Sequence, residues 1–81
     1  MPQFFLHIHD DDEFIEDPEG RVYPDLNAAR EEAKEAAREI LADKVRRGVE
    51  IDGQRIDITD EKGSTVATVK FRDQLRLRPE I

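Results

Sequence analysis

PDLNAAREEAKEAAREILADKVRRG, Pro24 to Gly48, carries one unbroken amphipathic period. Its apolar positions are Leu26, Ala29, Ala33, Ala36, Ala37, Ile40, Leu41 and Val45. They step by three and four, the spacing that lines one face of a 3.6-residue helix. Asp25 is suited to cap the N-terminus, Pro24 interrupts what precedes it, and Gly48 is a natural stop. Arg30, Glu31, Lys34, Glu35 and Arg38 fill the opposite face. Lys44, Arg46 and Arg47 crowd the last turn, where the helix dipole favours cations.

Working outward, the flanking segments read as short strands. Gln3 to His9 alternates, with Phe4, Leu6 and Ile8 on one side and Phe5, His7 and His9 on the other. Asp10-Asp11-Asp12 is a polar turn, and Glu13 to Glu16 is a brief second strand. Asp17-Pro18-Glu19-Gly20 is a strong turn signal, followed by an extended Arg21-Val22-Tyr23. Beyond the helix, Asp52-Gly53 marks a turn and Arg55 to Thr59 alternates around Ile56 and Ile58. Asp60 to Gly63 reads as a hairpin loop. Ser64 to Phe71 is a strand with Ala67, Val69 and Phe71 toward the core, and Leu75, Arg76, Leu77 and Arg78 alternate before Pro79.

These elements specify an α+β domain of order ββαββ, spanning residues 1–81. One amphipathic helix packs on one face of a small, mostly antiparallel four-stranded sheet. One helix covers one face. The other face then presents Phe5, His7 and His9 to solvent, a candidate interface.

Charge is unevenly placed. Residues 1–25 hold eight acids against one base, Arg21, so the whole formal charge of −7 sits there. An acidic lobe repels nucleic acid and anionic membranes and attracts basic partners. Asp10, Asp11, Asp12, Glu13, Glu16, Asp17 and Glu19 form a candidate acidic recognition segment. Lys70, Arg72, Arg76 and Arg78 around Phe71 make a weak basic strip, diluted by Asp73 and Glu80. No nucleic-acid or membrane partner is expected. No apolar run reaches the roughly 18 residues of a membrane span. Met1-Pro2-Gln3-Phe4 lacks a basic, apolar leader. A cytoplasmic protein is the expectation.

Catalytic templates find no match. Ser64 is the sole serine and lacks a nucleophile elbow. The chain has no cysteine. Gly20, Gly48, Gly53 and Gly63 are isolated turn residues rather than a phosphate loop. His7 and His9 share a strand face near the Asp10–Asp12 carboxylates, a pairing that metals use. Two histidines alone leave such a ligand set open, so no metal or other cofactor is expected.

The segments Phe4-Phe5-Leu6-His7-Ile8, Pro24-Asp25-Leu26 with Ala28-Ala29-Arg30 and Glu32-Ala33, Asp52-Gly53 with Arg55-Ile56, Asp60-Glu61 with Gly63, and Val69 with Phe71-Arg72-Asp73 carry a resemblance. Together they are similar to an uncharacterised family of short bacterial proteins, a domain of unknown function common in rhizobia and related alphaproteobacteria. The resemblance implies a stand-alone cytosolic domain without an assigned activity. The chain departs from it after Ile8, where a basic residue and Asp-Gly are usual and His9, Asp10 and Asp11 stand instead. Residues 22–41 more weakly resemble HicB-type antitoxins. The glycine-cysteine turn and DNA-binding domain of that family are missing.

The first expectation is therefore a small non-enzymatic interaction protein that forms a homodimer. An acidic, antitoxin-like inhibitor of a basic protein is the alternative. A metal-binding or enzymatic role at His7 and His9 stands third.

Overall fold

The computed structural model describes residues 2–75, so the alternation expected at Leu75, Arg76, Leu77 and Arg78 lies outside it beyond Leu75. The strands are β1 (Gln3–Asp10), β2 (Glu13–Ile15), β3 (Arg21–Val22), β4 (Arg55–Thr59) and β5 (Thr65–Lys70), with the helix α1 (Leu26–Arg47) between β3 and β4. A 3₁₀ turn, Phe71–Gln74, follows β5. The fold is α+β, with one helix against an antiparallel sheet. The sheet has five strands rather than four. They run β2-β1-β4-β5, with the two-residue β3 also paired to β1. The segment read only as extended at Arg21 thus joins the ladder.

α1 begins and ends where its caps dictate. The Asp25 carboxylate accepts the Ala28 N–H at 2.8 Å. At the far end Gly48 adopts φ +72°, a left-handed value that glycine takes without Cβ strain. Val49 N–H then reaches the Lys44 carbonyl at 2.9 Å and Gly48 N–H the Val45 carbonyl at 3.1 Å, closing a Schellman motif.

The buried stripe of α1 is Ala29, Ala33, Ala37, Leu41 and Lys44. Three alanines let the helix approach the sheet closely. The large groups come from the opposing layer: Phe4, Ile56, Ile58, Val69 and Phe71, with Tyr23 closing one end. Phe71, Ile56 and Ile58 are fully enclosed. The expected apolar face is corrected at its end, where Val45 is 60% exposed and its neighbour Lys44 is buried instead. The reason is electrostatic. Lys44 Nζ lies 2.7 Å from Asp10 Oδ1, an ion pair without hydrogen-bond geometry, which draws that turn of helix over the end of β1.

β2 and β3 are one return strand interrupted by a bulge. Ile8 pairs with Ile15, and Phe4 pairs with Arg21. Four steps along β1 therefore face six along the return strand, and the two surplus residues loop out between them. Asp17 repairs the broken ladder. Its Oδ2 accepts the Leu6 N–H at 3.2 Å and its Oδ1 the Gly20 N–H at 3.1 Å. Gly20 has φ +66°, and a Cβ there would meet the Phe5 ring at 2.7 Å. No larger residue fits that position unchanged.

Candidate functional site

The pleat of β1 sends Phe4, Leu6 and Ile8 toward α1 and Phe5, His7 and His9 to the face the helix leaves open. Register then fills in the rest of that face. His9 stands opposite Phe14 on β2 and Arg55 on β4, and Arg55 stands opposite Lys70 on β5. In the next row His7, Asp57 and Thr68 lie side by side, and Phe5 pairs with Thr59. Phe5, His7 and His9 are half-buried, whereas Phe14 is 55% exposed, as is Val22 opposite Gln3.

Rings cluster along β1 and β2. Phe5 and His7 stack in nearly parallel planes at 6.2 Å, and His9 lies 4.8 Å from Phe14, centroid to centroid. His7 is also held at both nitrogens. Its Nδ1 accepts the Asp17 N–H at 3.0 Å, and its Nε2 is 3.1 Å from Thr59 Oγ1. An acceptor at Nδ1 assigns the hydrogen to Nε2, which donates to the threonine. In this tautomer the ring is a structural clamp between the bulge and β4, with no nitrogen left over for a ligand.

Asp57 is the hub of the face. Its Oδ2 is 3.0 Å from His9 Nε2. Its Oδ1 accepts the Thr68 hydroxyl at 3.0 Å and lies 3.4 Å from Arg55 Nε. A half-buried carboxylate so supplied with partners meets its desolvation cost locally. Among the described residues, Asp57 is the one acid at the strand positions of this face. In a chain with 20 acids, the strand positions of this face are thus poor in acid and rich in rings.

Phe5 and His7 floor a shallow groove of about 220 Å³ at one end of the face, bordered by Glu16, Asp17, Asp60 and Glu61. No group of three or more His, Asp or Glu side chains placed to hold a metal ion occurs among the described residues. His7 and His9 point outward on the same face, but Asp10 pairs with Lys44 and Asp11 with Gln54 instead.

The acidic segment is divided by the fold. Asp10 belongs to Lys44. Asp11, with φ 56°, accepts the Nε2 of the buried Gln54 at 2.9 Å. Asp17 stitches the bulge. Asp12, Glu13, Glu16 and Glu19 project to solvent. Phe14, Arg55, Asp57 and Lys70 were not part of the sequence-derived interface. The alternation of β2, β4 and β5 hints at each, yet only strand order and register bring them to His7 and His9.

A family model matches residues 3–72, from the first residue of β1 into the 3₁₀ turn. The chain belongs to the family described as Domain of unknown function (DUF6894). Every strand of the open face lies inside the matched region. No curated protein and no solved structure matches the chain. No helix among the described residues is long and apolar enough to cross a membrane.

Proposed function

We propose that this DUF6894 protein is a small, non-enzymatic interaction module that binds protein through the open face of its sheet, self-association into a homodimer being its simplest form. The observation that carries this reading is the composition of that face. It gathers Phe5, Phe14, His7 and His9, and its acid, Asp57, is held within the chain by His9, Arg55 and Thr68. Burying a ring such as Phe14 contributes about 1.5–3 kcal/mol toward a covered state. The bacterial cytoplasm is the setting that the resemblance to short bacterial proteins implies. Sedimentation equilibrium of the wild type and Phe14→Asp tests the reading. The wild type should self-associate at micromolar concentration and the variant should remain monomeric. Equal behaviour of the two would remove Phe14 from any such interface.

A second reading rests on Asp12, Glu13, Glu16 and Glu19, which line one exposed margin of the molecule. There the protein is an acidic, antitoxin-like inhibitor of a basic protein. Capture of such a partner should weaken steeply with salt, since exposed charges are screened beyond a Debye length of about 8–10 Å. Capture indifferent to salt and to replacement of these four by Asn and Gln would remove that reading.

A further inference from the structure

The open face is polarised along its strands. Arg55 and Lys70 stand opposite each other at one end. The groove bordered by Glu16, Asp17, Asp60 and Glu61 occupies the other. Between them lies the hydrogen-bonded row of His7, Asp57 and Thr68. Resting on the reading of this face as a protein-binding surface, we infer that its occupant is a second copy of the chain turned end for end. The two-fold axis lies between the sheets, across the strands and near the Asp57 row.

The argument is one of charge and symmetry. In a two-fold interface, whatever one copy places on its partner it receives in return. End-for-end stacking sets Lys70 and Arg55 of each copy over Glu61 and Asp60 of the other, and does so twice. Stacking in the same direction gathers both cationic ends together and both acidic ends together, and like charges brought face to face are costly. The centre is suited to burial because the Asp57 oxygens and both His7 nitrogens already have partners within their own chain. Phe14 flanks this row on the β2 side. Two antiparallel sheets stacked in this way fall into the aligned arrangement usual for sandwiches, about 30° apart.

Charge reversal tests the arrangement on the full chain, with folding followed by circular dichroism and association by sedimentation. Lys70→Glu and Glu61→Lys are each expected to weaken self-association by about tenfold or more. The double variant K70E/E61K should recover it, and so should an equal mixture of the two single variants. Single variants that associate like wild type overturn the end-for-end stacking, even if Phe14→Asp still gives a monomer and the face itself survives as an interface. A double variant no better than either single one also overturns it. A wild type that stays monomeric overturns both the stacking and the reading beneath it. If Glu61→Lys fails to fold, because Glu61 accepts the Gln3 N–H at 3.3 Å, Glu61→Gln with Lys70→Gln replaces it. Each neutral variant is then expected to weaken association several-fold, and no change overturns the proposal.

Discussion

The backbone N–H of Asp17 donates to Nδ1 of His7 across 3.0 Å, while the carboxylate of Asp17 accepts the N–H groups of Leu6 and Gly20 on either side. One residue of a turn therefore stands in for a missing stretch of strand and sets the tautomer of an imidazole on the sheet face. Pro18 follows it and has no N–H to leave unsatisfied. The bulge is thus a designed break that anchors the open face to its margin.

Removal of this carboxylate leaves two partly buried N–H groups without an acceptor. Asp17→Ala should cost about 1–3 kcal/mol in urea denaturation. Asp17→Asn, which keeps one oxygen, should cost less. Ring ¹⁵N shifts of His7 in the wild type should report hydrogen on Nε2 and none on Nδ1 in the neutral ring. A ring protonated at Nδ1 would contradict the assigned clamp.

The ion pair of Lys44 and Asp10 joins the helix to the end of β1 with little exposure on either side, 9% and 19% for the two side chains. Removing one member strands the other. Lys44→Met or Asp10→Ala alone should each cost about 1–3 kcal/mol, below the range for a fully buried pair because some water remains. The double variant should cost less than the two single losses added together. A double-mutant cycle with no coupling would show that the pair contributes nothing.

Two apolar residues on the same helix should behave oppositely. Leu41 is 3% exposed and touches the core, whereas Val45 is 60% exposed. Leu41→Ala should cost about 2–4 kcal/mol and Val45→Ala under about 0.5 kcal/mol. Similar losses at both positions would place the core stripe of α1 along a different line.

That contrast shows where sequence reading carries and where it stops. The helix ends were legible because caps are local chemistry: Asp25 and Gly48 act on groups within a few residues of themselves. The loop Asp60–Gly63 was legible for the same reason, since Asp60 Oδ1 accepts the Lys62 and Ser64 N–H groups at 2.9 and 3.0 Å. The sequence presents Lys44 only as one of three last-turn bases favoured by the helix dipole. Its burial depends on Asp10, 34 positions away in the chain, and on which end of β1 meets the helix. The outward phase of Phe5, His7 and His9 followed from alternation alone. The company they keep did not, because Phe14, Arg55, Asp57 and Lys70 join them only through strand order. Asp17-Pro18-Glu19-Gly20 was legible as a turn but not as a bulge. A turn signal is the same whether the chain leaves the sheet or rejoins it two residues later.

Tyr23 gives a pH dependence. Burial against Phe4, reinforced by the nearby Glu32 carboxylate, holds its phenol above the ordinary tyrosine value of about 10. The unfolded chain then releases this proton at lower pH than the folded one. The contribution of Tyr23 to stability is complete below about pH 10 and is lost as pH rises through the folded value. Tyr23 is the one tyrosine and tryptophan is absent, so absorbance of the phenolate reports it directly. The native midpoint should lie above that of the urea-unfolded chain, and Tyr23→Phe should flatten the alkaline loss of stability over this window. Coincident midpoints would show that the phenol is solvated.

The central claim is that the open face is where this protein meets its partner, and amide chemical shifts across a dilution series test it most directly. Between about 1 mM and 20 μM, the shifts that move should belong to Phe14, Arg55, Asp57, Thr68 and Lys70, with the outer helix face around Glu31 and Arg38 unchanged. The span covers the micromolar to millimolar affinities of modest interfaces. Shifts confined to the helix, or none at all from a protein that also sediments as a monomer across that range, would contradict the account.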